Sequence, residues 1–336
     1  MWSAADEMAV RPAVGGIALE DIYAAARRIA PFIRRTPVIT GTQLDERFKA
    51  GFFLKLEQLQ HTGAFKVRGA FNKLLAAGTA ATARGIVAVS AGNHARAVAF
   101  AARELGLDAL VLMPRDTPQN YIDETRRHGA RVTLCGTFIE ACERAAEFEY
   151  AGRLLVHPFD DPLVIAGQGT IGLEILSDVP DVTDVVVSIG GGGLAGGVAA
   201  AIKAAAPSVN IWGVETRGAE SMYAALSAGR IVTLDRITSV ARTLGAPAVG
   251  TLAFELAKRH LSGVTVVDDS EALREMFYLL DRVKVLTEPA TACTLAAAER
   301  LRERFSPDSR VVLVLCGGNI GMNEMVGYWP QAANTQ

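Results

Sequence analysis

The stretch Asp184-Val-Val-Val-Ser-Ile-Gly-Gly-Gly-Gly-Leu-Ala-Gly-Gly-Val-Ala-Ala-Ala-Ile-Lys-Ala-Ala-Ala206 joins a β-branched run to an alanine-rich run through four consecutive glycines. The first six residues are nearly all apolar, which suits a strand buried on both faces, and the alanines after Leu194 suit a helix. A turn without side chains leaves backbone amides open at the start of that helix. Unpaired N–H groups and the helix dipole there attract an anion such as phosphate. The Gly-Lys-[Ser/Thr] of a nucleotide P-loop is absent. Gly191, Gly193 and Gly196 do match Gly-x-Gly-x-x-Gly, and Glu215 follows about twenty residues on, where a dinucleotide fold places its ribose-binding acid. A phosphate site, a dinucleotide site and a tight turn with no ligand all stay open at this point.

The same alternation runs outward in both directions. Strand-like runs occupy 52–57, 85–89, 109–113, 131–135, 154–156, 184–189, 210–215, 264–267 and 311–315. Helix-like runs occupy 94–105, 120–128, 138–150, 194–206 and 290–305. Apolar strands separated by helices predict an α/β fold built on open parallel sheets. Residues 79–157 read as four consecutive strand–helix units, enough for a small sheet of their own. The expected organisation is therefore a larger domain from 1–78 and 158–336, with a smaller domain, 79–157, inserted in it.

Composition narrows the function classes. The chain has 336 residues, half of them hydrophobic, and a formal net charge of −2. That charge gives no bulk field to recruit nucleic acid or an anionic membrane. The apolar runs are strand-sized and too short to span a bilayer. Residues 1–16 carry Asp6, Glu7 and Arg11 and lack the apolar core of a signal peptide; they read as a flexible arm. The four cysteines, Cys135, Cys142, Cys293 and Cys316, form no CxxC pair and suit neither zinc nor a disulfide framework. A reducing cytoplasm is the expected location.

Three more loops carry chemistry. In His61-Thr-Gly-Ala-Phe-Lys-Val-Arg-Gly-Ala70, Lys66 stands at the start of a helix beside an aromatic residue. Partial desolvation and the positive end of the helix dipole both favour a neutral amine, the form that condenses with an aldehyde. A surface lysine with an apolar stem is the plainer reading. In Ser90-Ala-Gly-Asn-His94, small residues between a strand and a helix expose amides to an anion, or simply cap the helix. Leu315-Cys-Gly-Gly-Asn319 ends another apolar strand. Ligands of open α/β sheets collect at the carboxyl ends of strands, so this loop and the tetraglycine can line one crevice. Cys316 alone would pass for a small buried filler.

Taken together and in this order, the four loops resemble the tryptophan-synthase-β family of pyridoxal-phosphate enzymes (fold type II), within it the serine/threonine dehydratase and serine racemase branch. The resemblance runs from about residue 17 to residue 321. It includes Asp160-Asp-Pro162, Ile165-Ala-Gly-Gln-Gly-Thr-Ile171 and Thr287-Glu-Pro-Ala290. It implies a cofactor held in the crevice between two domains. Lys66 matches the Schiff-base lysine and Phe65 the residue packed on the ring. Asn93 matches the partner of the cofactor's phenolic oxygen, and Gly190, Gly191, Gly192, Gly193 and Leu194 match the phosphate cup. Ser90, Ala91, Gly92, Asn93 and His94 match the loop for the substrate carboxylate. Cys316 stands where the family places a hydroxyl or thiol against the pyridine nitrogen. The usual Ser-Phe-Lys is here Ala64-Phe-Lys, so one hydroxyl is lost.

The activity so implied is dehydration and deamination of a β-hydroxy amino acid, such as L-threonine or L-serine, to a 2-keto acid and ammonia. A thiol offers the ring nitrogen only a weak hydrogen bond, which favours prompt β-elimination over a long-lived carbanion. Racemases of the branch serve the second face of the α-carbon with a serine directly after the position of Ser90; this chain has Ala91, which implies little racemisation. Relatives that bind a divalent cation use two acids and a carbonyl after the strand ending at Glu215. Here Glu215 and the Ala219 carbonyl are present, but Ser221 replaces the second acid and Glu220 lies one residue away, which implies a weakened or absent site. The resemblance also implies a homodimer, and no C-terminal regulatory domain is expected after residue 321. A nicotinamide-dependent oxidoreductase using Gly191, Gly193, Gly196 and Glu215 is the rival from another class. A non-catalytic amino-acid sensor is the second.

Overall fold

The structure, a computed structural model, describes residues 16–333, so the leader up to residue 15 lies outside the described residues. The strands are β1 (Val38–Ile39), β2 (Gly51–Lys55), β3 (Ile86–Val89), β4 (Ala109–Pro114), β5 (Arg131–Cys135), β6 (Leu154–Leu155), β7 (Asp184–Ser188), β8 (Asn210–Thr216), β9 (Gly263–Val267) and β10 (Arg310–Val314). They form two sheets. The larger has the order β1-β2-β10-β7-β8-β9 and is parallel except for β1. The smaller has the order β5-β4-β3-β6 and is parallel throughout. All four strands of the smaller sheet fall within 79–157, and all six of the larger fall outside it. The α/β fold with parallel sheets is as the sequence predicts.

The apolar runs become central strands because helices cover both faces of the sheet. Val186 of β7 packs in one cluster with Ala292 and Ala296 from helix Pro289–Arg300. Its neighbours Val185 and Val187 pack on the opposite side with Ala195 and Val198 from helix Gly193–Ala205. Strand β10 divides the same way, with Val311 and Leu313 on one face and Val312 and Val314 on the other. This is the two-residue period of a strand. Each such side chain contributes about 1.5–3 kcal/mol through burial.

Several boundaries differ from the sequence reading. The strand read as 52–57 stops at Lys55, because Glu57 enters a one-turn 3-10 helix, Glu57–Leu59, and its carboxylate turns inward to Arg68. The helix read as 290–305 ends at Arg300. Arg302 then folds back to the Glu299 carboxylate and the Arg47 carbonyl. Strand β1 was not foreseen, since two residues carry no periodicity.

A charge network fixes the helix Val67–Thr82, whose N-cap is Lys66. Arg68 is fully buried. Its Nε and Nη2 donate to Glu57 at 2.8 Å each, and Nη1 and Nη2 donate to Glu174 at 2.7 and 2.9 Å. Lys55 Nζ reaches Glu174 at 2.6 Å and donates to the Thr36 carbonyl at 2.7 Å. Two positive and two negative side chains thus tie β2, helix Val67–Thr82 and helix Pro162–Asp178 together. Bidentate arginine–carboxylate pairs add orientation as well as energy.

Candidate active site

Strands β2, β10 and β7 are neighbours, so the loops leaving their carboxyl ends meet at one edge of the larger sheet. After β2 the chain makes two one-turn 3-10 helices, and Ala64 then becomes extended and bridges Gly317 in antiparallel fashion. The Phe65 amide donates to the Cys316 carbonyl at 3.0 Å. The hydroxyl missing at Ala64 is thus no obstacle to the loop, which is held by backbone bonds. Lys66 follows as the N-cap of its helix, and its Nζ donates to the Pro158 carbonyl at 2.8 Å. Burial pushes the Lys66 amine down to about 8. A buried ammonium loses hydration, so the neutral form gains. Phe65 lies beside it, with Nζ 5.1 Å from the ring centroid.

Cys316 shares one apolar cluster with Phe65 and Leu194. Ser188, the last residue of β7, places its hydroxyl 3.3 Å from the Cys316 sulfur, and the Thr291 hydroxyl lies 3.1 Å from it. Burial pushes the Cys316 thiol up to about 11, so it stays protonated at neutral pH. The glycine loop begins two residues after Ser188. Gly192 has φ +91°, a left-handed conformation that disfavours any side chain, and it caps helix Gly193–Ala205. Among the described residues, the amides of Gly191, Gly192, Gly193, Leu194 and Ala195 donate no backbone hydrogen bond; the first to do so is Gly196, to the Gly192 carbonyl. A Cβ at Gly191 would come within 2.2 Å of the Phe159 ring, and Phe159 follows the Pro158 that holds Lys66. Open amides at a helix start fit a phosphate.

The smaller sheet supplies the facing wall. Ser90 follows β3, and its Oγ accepts from the Gly92 amide at 3.1 Å; Ser90, Ala91 and Gly92 are half-buried. Helix Asn93–Glu104 starts immediately, so the Asn93 and His94 amides head a helix. His94 is buried, with Nε2 2.8 Å from the Val156 carbonyl. A carbonyl only accepts, so Nε2 carries the proton and Nδ1 is an acceptor, buried without a partner among the described residues. Burial lowers the His94 pKa to about 3, and the imidazole stays neutral.

Asn93 contacts the larger sheet's loops directly. Its Nδ2 donates to Glu288 Oε1 at 2.9 Å, and its Oδ1 accepts from Asn319 Nδ2 at 2.7 Å. Glu288 also accepts from the Thr243 hydroxyl at 2.8 Å and the Asn319 amide at 3.1 Å. Burial outweighs these donors and leaves the Glu288 carboxyl above its ordinary value. The Asn93 Nδ2 and the Asn319 amide can only donate, so each of the two carboxyl oxygens accepts at least one hydrogen bond. In the sequence Glu288 and Asn319 stand out only as parts of motifs, and Thr243, Pro158 and Phe159 carry no signal of their own. The Thr287-Glu-Pro-Ala290 run was the available signal.

The strand-end acid Glu215 is fully buried and already engaged. Its two oxygens accept from the Met222 and Tyr223 amides at 2.8 Å each, capping helix Ser221–Ala228. Glu220 turns to the Gly218 amide, and the Ser221 hydroxyl is buried without a partner among the described residues. Burial raises Glu215 to about 8. Hard cations take several oxygen ligands, carboxylates, carbonyls and waters among them; here both Glu215 oxygens accept from amides, Glu220 turns to the Gly218 amide and Ser221 brings no charge. The same commitment of Glu215 removes the acid that a dinucleotide ribose would need.

Two open, mostly parallel sheets, a half-buried lysine at a helix start and a glycine cup facing a second helix start define a class of enzyme that holds a phosphorylated aldehyde cofactor. The family model of the pyridoxal-phosphate dependent enzymes matches residues 29–317. The chain belongs to that family. It is 43% identical over 309 residues to the L-threonine ammonia-lyase of Thermotoga maritima, covering 91% of this chain and 77% of that one. Among solved structures it resembles a threonine deaminase from T.th., with a TM-score of 0.86 and 39% identity over 91% of this chain and 99% of that one. It also resembles maize serine racemase, with a TM-score of 0.89 and 31% identity over 96% of this chain and 99% of that one. None of the described helices is long and apolar enough to cross a membrane.

Proposed function

We propose that the protein removes water and ammonia from a β-hydroxy amino acid, L-threonine or L-serine, and releases a 2-keto acid. The observation that carries this reading is the meeting of Lys66, Cys316 and the glycine loop with the Ser90–His94 loop at the carboxyl ends of both sheets. When bound, pyridoxal phosphate supplies an aldehyde that captures an amine and a ring that delocalises the electrons left at the α-carbon.

The residues do the rest. The amides of Gly191, Gly192, Gly193, Leu194 and Ala195 would hold the cofactor's phosphate. Lys66, about half neutral near pH 8, is the nucleophile toward the aldehyde. With cofactor and substrate bound, its free amine would serve as the base that takes the α-proton. The Asn93 and His94 amides, with Ser90 beside them, orient the substrate carboxylate. Cys316 gives the ring nitrogen a thiol rather than a carboxylate, because burial keeps its proton on. A thiol at that position would leave the bound ring a modest electron sink, which suits β-elimination. The two sheets are read as two domains, 79–157 and the remainder, with the substrate between them.

A racemase is the second reading, favoured by the likeness to maize serine racemase. Ala91 weighs against it, since its methyl can neither give nor take a proton. Free thiols at Cys135, Cys142, Cys293 and Cys316 accord with a cytoplasmic location. A homodimer is the assembly the family resemblance implies, and sedimentation tests it. The decisive assay for function is keto-acid release from L-threonine, L-serine, 3-hydroxyaspartate and phenylserine. Release from none of them by the cofactor-loaded enzyme would overturn the reading.

A further inference from the structure

The Asn93 amide is fixed by a closed circuit. Asn319 Nδ2 donates to the Thr62 carbonyl at 2.7 Å, and because a carbonyl only accepts, this fixes which end of the Asn319 amide is nitrogen. Its second N–H goes to Asn93 Oδ1. The Asn319 backbone amide goes to Glu288 Oε2, and Glu288 Oε1 takes one N–H of Asn93. One N–H of Asn93 is left over. The circuit joins side chains from the smaller sheet (Asn93), the β10 loop (Asn319) and the start of helix Pro289–Arg300 (Glu288).

From this geometry we infer that Glu288 is a positioning residue for the cofactor: it holds the Asn93 amide so that its remaining N–H faces the cofactor's phenolic oxygen. This rests on the proposed role of Asn93. Glu288 acts only through Asn93 and touches no reacting atom. An amide in place of the carboxylate cannot satisfy the circuit. If its oxygen faces Asn93 Nδ2, its nitrogen confronts the Asn319 N–H. If it flips, Asn93 must flip too, and two NH₂ groups then meet at Asn319. Either way one donor faces another, and a buried unsatisfied donor is costly.

The test is a double-mutant cycle on cofactor affinity. Apo-protein of the wild type, Glu288→Gln, Asn93→Ala and the double variant is titrated with pyridoxal phosphate, followed by absorbance. Thermal unfolding of each apo-protein is recorded alongside. Glu288→Gln should weaken binding about tenfold and shift the pH midpoint of the bound cofactor's absorption band. In the Asn93→Ala background the same substitution should change affinity less than about twofold. Glu288→Asp, which keeps the charge, should fall between wild type and Glu288→Gln. Additive losses, or a Glu288→Gln protein with wild-type affinity and pH midpoint, would overturn the inference. A fall in unfolding temperature with affinity retained does so equally. A wild-type protein that failed to bind the cofactor would instead overturn the proposed function.

Discussion

Replacing Arg68 with Met tests how the lysine's helix is held. The substitution keeps most of the side-chain volume and removes the guanidinium that serves Glu57 and Glu174 with four hydrogen bonds of 2.7–2.9 Å. Glu174 keeps Lys55, but Glu57, fully buried, keeps only the Thr36 hydroxyl among the described residues. Stranding a buried charge in this way costs about 3–5 kcal/mol. With an unfolding entropy of about 2.1 cal/mol/K per residue, 336 residues give about 0.7 kcal/mol/K. The apparent Tm should therefore fall by about 4–7 °C in calorimetry at pH 7. Cofactor affinity should fall too, because Lys66 is the N-cap of the helix that Arg68 anchors. Adding Glu57→Gln should return part of the loss, since the stranded charge is then gone. An Arg68→Met protein within 1 °C of wild type by this measure, set against the predicted drop of about 4–7 °C, would refute the reasoning.

Other outcomes follow from the site. Capture of pyridoxal phosphate by the apo-protein should accelerate as pH rises through about 8 and level off above it, because Lys66 is neutral on that side of its lowered pKa; stopped-flow rates still climbing steeply towards pH 10 would contradict this. After exhaustive chelation, added magnesium should change the rate of keto-acid formation by less than about twofold, since both Glu215 oxygens are already bonded to amides; strong activation would show a cation site. Ala91→Ser should raise conversion of L-serine to D-serine, seen by chiral chromatography of residual substrate. Abundant D-serine from the unmodified enzyme would favour a racemase.

Much of the fold was legible because the central strands are buried on both faces and so read as unbroken apolar runs, β7 most plainly. Strand β1 was not, as two residues pair by position rather than by pattern. The glycine loop and Lys66 were visible because both need particular residue types at a strand-to-helix turn. The charge network was hidden: Lys55, Glu57, Arg68 and Glu174 look like surface residues in the sequence and are buried only because each finds its counter-charge on another of four elements. Glu288 was hidden for a similar reason. Its partners Asn93, Thr243 and Asn319 are far apart along the chain, and only the fold brings them to one carboxylate.

The central claim is that Lys66 bonds the cofactor. The most direct measurement is borohydride reduction of the pyridoxal-phosphate-loaded protein, followed by proteolysis and peptide mass spectrometry. Reduction should bleach the colour and leave a single phosphopyridoxyl label on Lys66, and Lys66→Ala should show neither colour nor label. A label on another lysine, or a coloured and active Lys66→Ala protein, would contradict the account.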